Sequence, residues 1–227
     1  LSFIDITRLQ HLENLRKDFV GNVSHELKTP LSTIINVIEL LKDQKKITVQ
    51  ERNKFMKILS KESLKMKSII EDLLNLTKIE TDLTKKITKV VDLNKIILDS
   101  INRTETRAKK NGIKIKYTRL KPANILGESN QLQQMTVNII DNSIKYADKK
   151  SLINIELKDS ENRLILSFKD KGKGISQRLI PRITERFYRV PDVRIKSIEG
   201  TGLGLAIVKH IAIRHKAELK ITSKVNV

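Results

Sequence analysis

The 227-residue chain contains no cysteine, which excludes both a disulfide framework and a thiolate metal site. Tryptophan is also absent, and only five Phe and three Tyr occur. None of these rings interleaves with basic residues as a base-stacking platform requires. No apolar run approaches the ~18 residues of a membrane-spanning helix, and no charged-then-apolar leader opens the chain. The four histidines, His11, His25, His210 and His215, are too scattered to form a zinc-like cluster. Acidic residues are scarce beside 45 Lys/Arg, and the formal net charge is +19. From Lys85 to Lys121, 12 Lys/Arg meet only Asp92, Asp99 and Glu105. Such a field attracts phosphate-rich or acidic partners. Without stacking aromatics, a solvated lysine-rich surface is favoured over direct nucleic-acid binding. The missing cysteines fit a reducing cytoplasm.

The hydrophobic fraction of 39% is enough for packed cores, and the length suits two small domains. Leu12, Phe19, Val23, Leu27, Leu31, Ile34, Ile38 and Leu41 recur at helical spacing and draw one stripe of a long amphipathic helix. After the polar segment Asp43 to Thr48, a second stripe runs from Phe55 to Leu76. Two antiparallel helices joined by a short loop follow, and a lone hairpin cannot cover both stripes. Pairing with a second copy into a four-helix bundle is the expected solution. Beyond Thr81 the reading turns to mixed α/β. Strands are expected at Ile87 to Val91, Ile113 to Arg119, Leu152 to Leu157, Leu164 to Lys169 and Glu218 to Ser223. Helices are expected at Leu93 to Lys109, Gln131 to Tyr146 and a stretch ending at His215, giving an α+β sandwich. The domain boundary is expected near Thr81 to Lys85.

At about 100° per residue, His25 lies about 180° from the centre of the first stripe and faces solvent. A surface histidine is usually without function. Here it opens His25-Glu26-Leu27-Lys28-Thr29-Pro30, where a neutral imidazole nitrogen can act as nucleophile and the Glu26 carboxylate can take or orient the other nitrogen's proton. Pro30 lacks a donor and is expected to bend the helix just past the histidine. Thr29 sits one turn from His25 on the same side.

Three further fragments carry chemistry. Asn138, Asn142 and Lys145 fall on one helical face, where two amides and an ammonium suit Mg²⁺ and phosphate oxygens. Asp170-Lys-Gly172-Lys-Gly174-Ile175 follows a strand; its carboxylate can accept a hydrogen bond from the amino group of adenine, and its glycines admit close backbone approach. Gly200-Thr201-Gly202-Leu203-Gly204 leads into a helix start, whose free amides suit phosphates. Each fragment alone has a bland reading as cap, turn or helix surface. The glycine triplet is neither a P-loop nor a dinucleotide fingerprint.

Together, these motifs resemble the sensor histidine kinases of two-component systems. Phe19 to Leu31 is similar to their phosphoacceptor box. The asparagine segment, Asp170 to Ile175, Pro181 to Arg189 and Gly200 to Gly204 resemble, in order, the four boxes of their ATP-binding domain, a fold shared with gyrase-type ATPases, Hsp90 chaperones and MutL. The resemblance implies phosphorylation of His25, Glu26 as base, and Thr29 positioning a water to dephosphorylate the partner. It also implies Mg²⁺ at Asn142 beside Asn138, adenine read by Asp170, Tyr146 near the base, Arg189 at the γ-phosphate, and Ile175 to Gly200 as lid. It implies ATP and Mg²⁺ as cofactors, a homodimer, and the receiver domain of a response regulator as partner. Residues 1–18 resemble the linker behind a PAS sensory domain in kinases of the phosphate-regulon sensor type. Residues 19–83 would then be the dimerisation and phosphotransfer domain, and 84–227 the ATP-binding domain. The chain begins at Leu1 rather than methionine and stops before the family's closing strand, so it is expected to be a fragment, and the resemblance implies the cytoplasmic part of a membrane-anchored sensor.

Asn138 stands where ATP-hydrolysing members of the superfamily carry Glu. An amide takes no proton near neutral pH, which favours transfer to histidine over hydrolysis. Thr184 replaces a usual Phe, and His215-Lys216-Ala217 replaces His-Gly-Gly. The rival readings are an ATP-hydrolysing machine of the same superfamily, a dimeric adaptor that has lost nucleotide binding, and a nucleic-acid binder.

Overall fold

The computed structural model describes residues 7–42, 47–161, 163–191 and 200–225. The chain divides into two compact units, 1–74 and 75–227.

The first unit is a helical hairpin, α1 (Thr7–Lys42) and most of α2 (Val49–Thr81). A reciprocal capping box starts α2: the Thr48 N–H donates to Glu51 Oε2 (2.9 Å) and the Glu51 N–H to Thr48 Oγ1 (3.2 Å). These bonds hold the Glu51 carboxyl below its usual range. Val37 and Ile69 are buried, whereas Leu31, Ile35 and Ile38 on α1 and Ile70 and Leu74 on α2 are each more than two-fifths exposed. One apolar face of the hairpin is thus covered and another is not. α1 continues as helix through Pro30, whose ring is buried. Burial of the ring offsets part of the lost backbone bond. Residues 43–46, where loop handedness would be set, lie outside the described residues.

The second unit contains the end of α2, then β1 (Val90–Asp92), α3 (Leu93–Lys110), β2 (Lys114–Thr118), β3 (Asn124–Leu126), α4 (Ser129–Tyr146), β4 (Leu152–Ser160), β5 (Arg163–Lys169), a 3-10 turn (Ile180–Arg182) and α5 (Gly204–Arg214). Strands β2, β4 and β5 form one sheet in that order, parallel then antiparallel. Strands β1 and β3 form a separate antiparallel ribbon. Strand β4 turns Ile153, Ile155 and Leu157 inward while Asn154 and Glu156 stay more exposed, the alternation of a sheet covered on one face. Ile97 of α3 and Ile140 of α4 complete that core. Asp92 caps α3 by accepting from the Asn94 N–H (2.8 Å). Asn94 in turn accepts from the Tyr117 hydroxyl (2.7 Å), tying helix to sheet.

Two strand expectations are corrected. The first strand sits at Val90–Asp92, later than Ile87 to Val91, because its partner is the short β3, an element that sequence patterning had left out. Glu218 to Ser223 forms no ladder. Its alternating Leu219, Ile221 and Ser223 fit a strand, but alternation supplies no partner edge, and Ser223 bonds to a loop instead.

Candidate active site

His25 is exposed on α1, as its angular position requires, and Glu26 beside it is half-buried. The Thr29 hydroxyl donates to the His25 carbonyl oxygen (3.1 Å). Ser24 and Thr33 make the same back-bond, to Val20 (2.8 Å) and Thr29 (3.1 Å). The imidazole is thus exposed while its backbone carbonyl is held.

In the second unit, α4 and α5 bring two distant fragments together. The Asn138 amide Nδ2 donates to the Gly204 carbonyl (3.3 Å). A Cβ added at Gly204 would lie 3.9 Å from both the Asn138 amide carbon and Asn142 Nδ2. One at Gly200 would lie 4.0 Å from Lys145 Nζ. The helical face that carries Asn138, Asn142 and Lys145 thus looks onto the glycine loop and the first turn of α5. Amides and an ammonium converge there with the positive end of an 11-residue helix. The Thr201 hydroxyl accepts from the Leu203 N–H (3.2 Å), and the fully buried Leu203 anchors the loop. Gly202 has φ +71°, and a Cβ there would come within 3 Å of the Phe187 backbone, so this position requires glycine.

Asp170 is exposed at the end of β5, and its Oδ2 accepts from the Ser143 hydroxyl (3.1 Å). This leaves Oδ1 free of that bond. Gly172 lies under Tyr146: a Cβ there would meet the Tyr146 carbonyl at 2.8 Å and Asp170 Oδ1 at 3.2 Å. An isolated bridge between Ala147 and Gly172 fixes the approach. Tyr146 itself is 40% exposed. On the other side of the Asp170 loop, the Ile175 N–H donates to Ser223 Oγ (2.8 Å) and Gln177 Nε2 to the Ser223 carbonyl (2.6 Å). Gly174, at φ +74°, is the turn that aligns them.

Arg189 is exposed at the end of the segment that follows the 3-10 turn, and Phe187 within that segment donates its N–H to the Gly202 carbonyl (3.0 Å). Most of the expected lid between Ile175 and Gly200 is described, but residues 192–199 lie outside the described residues. Among the described residues no group of three or more His, Asp or Glu could hold a metal. A magnesium ion that enters on a nucleotide takes most ligands from phosphates and water, and the paired amides of Asn138 and Asn142 beside the glycine loop fit that need. Behind them, burial raises the Asp141 carboxyl while Arg107 opposes the shift through a 2.8 Å ion pair, which ties α3 to α4.

Ser143 and Ser223 were not singled out by sequence reasoning. A serine next to Asn142 gives no local sign of reaching a carboxylate 27 residues away, and Ser223 looked like strand.

Residues 15–82 match the His Kinase A (phospho-acceptor) domain, and residues 127–227 match the histidine kinase-, DNA gyrase B- and HSP90-like ATPase family. The phosphate regulon sensor protein PhoR of Pseudomonas aeruginosa is 35% identical over 219 residues, 96% of this chain and 49% of that protein. The chain thus spans about half the length of that relative. Among solved structures, the Acinetobacter baumannii histidine kinase AdeS superposes with a TM-score of 0.60 at 20% identity, over 84% of this chain and 86% of that one. The histidine kinase ThkA in complex with response regulator protein TrrA gives 0.59 at 16% identity, over 83% and 57%. At these identities the likeness is one of fold.

Proposed function

The chain belongs to the sensor histidine kinases, a phosphoacceptor domain joined to an ATPase domain, and we propose that it transfers the γ-phosphoryl group of ATP to its own His25 and then to an aspartate of a response regulator. The observation that carries this reading is the convergence of Asn138, Asn142 and Lys145 on the glycine loop at the start of α5. An exposed imidazole with an adjacent carboxylate supplies the acceptor.

In the first step a ring nitrogen of His25 forms a bond to the γ-phosphorus, the bond from that phosphorus to the β–γ bridging oxygen breaks, and ADP leaves. Glu26 holds the proton of the other ring nitrogen and stabilises the imidazolium that develops. Asp170 accepts from the adenine amino group, Tyr146 covers the base, and Gly172 to Ile175 line it. Lys145, the amides of Gly200 to Gly204 and Arg189 meet the phosphates. Asn142 and Asn138 would hold Mg²⁺, which when bound neutralises charge on phosphate oxygens. In the second step the N–P bond breaks as an aspartate oxygen of the regulator attacks the phosphorus. Thr29 then aligns water on the phospho-aspartate, a phosphatase role its hydroxyl oxygen can fill by accepting from the water while its proton stays on the His25 carbonyl.

The solved complex of ThkA with a response regulator supports this class of partner, and the uncovered apolar face of the hairpin supports a homodimer. We assign residues 1–18 to a linker, 19–83 to dimerisation and phosphotransfer, and 84–227 to nucleotide binding. We also assign the chain to the cytoplasmic side of a membrane-anchored sensor; the likeness to a protein named as a sensor supports the sensor part of that reading. No helix among the described residues is long and apolar enough to cross a membrane. Incubation with γ-labelled ATP is the test. The expected product is one stable label per chain, lost in acid and retained in alkali. Many turnovers of free phosphate without label would instead mark an ATPase.

A further inference from the structure

The face of α4 that carries Asn138, Asn142 and Lys145 has an acidic flank. At about 100° per residue, Asp141 lies about 40° around the helix from Lys145 and about 60° from Asn138. Asp141 precedes Lys145 by four residues, the order in which a carboxylate and an ammonium pair best along a helix. Yet Asp141 Oδ2 pairs instead with Arg107 Nη1 on α3 (2.8 Å). Lys145 Nζ lies beside the glycine loop, 4.0 Å from where a Cβ at Gly200 would stand. After Arg107, Lys145 is the next charge to act on that carboxylate. Two cations thus compete for one acid.

The Asp141 side chain is only 16% exposed, so leaving its charge without a cation is costly. Arg107, more than half exposed, comes from the neighbouring helix to supply one. Without it, the nearest substitute is Lys145, an ammonium on a flexible four-carbon stem. Drawn back one turn along α4, that ammonium would leave the loop and spend its field on Asp141 rather than on phosphate oxygens. Grip between the helices has another source: Ile97 of α3 and Ile140 of α4 are fully buried in one apolar core. A half-exposed ion pair beside that core adds little to it.

We propose that Arg107 is a positioning residue for nucleotide binding: by pairing with Asp141 it keeps that carboxylate off Lys145 and leaves the ammonium to the phosphates at the glycine loop. This rests on the phosphotransfer reading above, in which Lys145 meets the phosphates. Arg107 acts through Asp141 and bonds to no phosphate itself. The coupling has a definite sign. Loss of Arg107 harms binding only while Asp141 is present, and loss of Asp141 harms nothing, because Lys145 then has no competing acid one turn away. A pair that merely fastened α3 to α4 would have the opposite signature, with either loss equally harmful.

The test uses the whole chain with Arg107→Gln, Asp141→Asn and the two combined, each titrated with a fluorescent ATP analogue in Mg²⁺ and then competed with ATP and with adenosine. In Arg107→Gln, ATP affinity should fall roughly three- to tenfold. Adenosine, which carries no phosphate, should compete within about twofold of its wild-type affinity. Asp141→Asn should bind ATP within about twofold of wild type, and adding it to Arg107→Gln should restore the lost affinity to that same range. Equal ATP affinity in Arg107→Gln and wild type overturns the proposal. So does a loss that Asp141→Asn fails to rescue, or one that adenosine shares in full, since either would mark a structural tie. A wild-type chain with no affinity for ATP would sink the phosphotransfer reading and this proposal with it, whereas a wild type that binds ATP beside an unaltered Arg107→Gln sinks this proposal alone.

Discussion

His25 and Thr29 share one turn of α1, yet the structure holds them differently: the ring is exposed and the hydroxyl is bonded to backbone. His25→Gln keeps the size and polarity of the side chain but removes the nucleophile, so labelling should vanish while nucleotide affinity, set in the other unit, is unchanged. Labelling at the wild-type level would refute the acceptor assignment. Thr29→Ala separates two readings. If the hydroxyl aligns water, decay of phospho-regulator should slow by roughly tenfold or more while His25 labelling holds. If the back-bond is all it does, both activities should shift together with helix stability. A third prediction concerns Ser143, whose hydroxyl donates to Asp170. Ser143→Ala should weaken ATP binding roughly three- to tenfold, less than is usual for a hydrogen bond to a charged group because Asp170 is exposed. Titration with a fluorescent ATP analogue checks this; unaltered affinity would show that Asp170 needs no such support.

The junction of α5 and α4 depends on a neutral histidine. His215 Nε2 accepts from the Glu128 N–H (3.0 Å) at the start of α4, and its Nδ1 lies 2.9 Å from the Ile211 carbonyl, which makes Nδ1 the protonated nitrogen. Burial lowers its pKa below the usual histidine value, against the Ile211 bond and the Glu128 carboxylate, with Arg214 adding to the lowering. The unfolded chain thus takes up the proton first. Stability is fully present above the ordinary histidine range of about 6.5 and declines as pH falls from there toward the lowered folded value. Thermal melts from pH 7.5 to 5 should show this decline, and His215→Gln should flatten the part that His215 contributes. An equally steep decline in the variant would place the effect elsewhere.

This junction also marks how far the sequence could be read. The long helices, α3, α4 and the strands β4 and β5 announce themselves by period and length. So do the family boxes around Asn142, Asp170 and Gly202, whose residue types and order suit a nucleotide. Strand β3 is three residues long and, among the described residues, paired only with β1, too short for any period to show. The reach of Ser143 to Asp170, Ser223 to Ile175 and Arg107 to Asp141 depends on tertiary approach, which no local pattern encodes. The segment 218–223 had the pattern of a strand without the neighbour that would make it one.

At the scale of the whole molecule, the apolar face that the hairpin leaves uncovered decides the assembly. Leu31, Ile35 and Ile38 recur at four and three residues on α1, and Ile70 and Leu74 repeat at four on α2. A monomer would expose this stripe to water, whereas a second copy related by a two-fold axis would cover the same residues on both chains. The whole chain should therefore run at twice its chain mass in light scattering at micromolar concentration. Ile38→Glu places two carboxylates in that seam, one from each copy. Burying them unpaired costs several kcal/mol, which corresponds to a loss of association on the order of a hundredfold or more. The variant should be monomeric at the same concentration, with ATP affinity intact because the nucleotide site lies in the other unit. Its helical content should fall only slightly, since Ile38 is already 44% exposed within its own chain. A wild-type monomer, or a dimer indifferent to Ile38→Glu, would show that the stripe meets something other than a second copy of this chain.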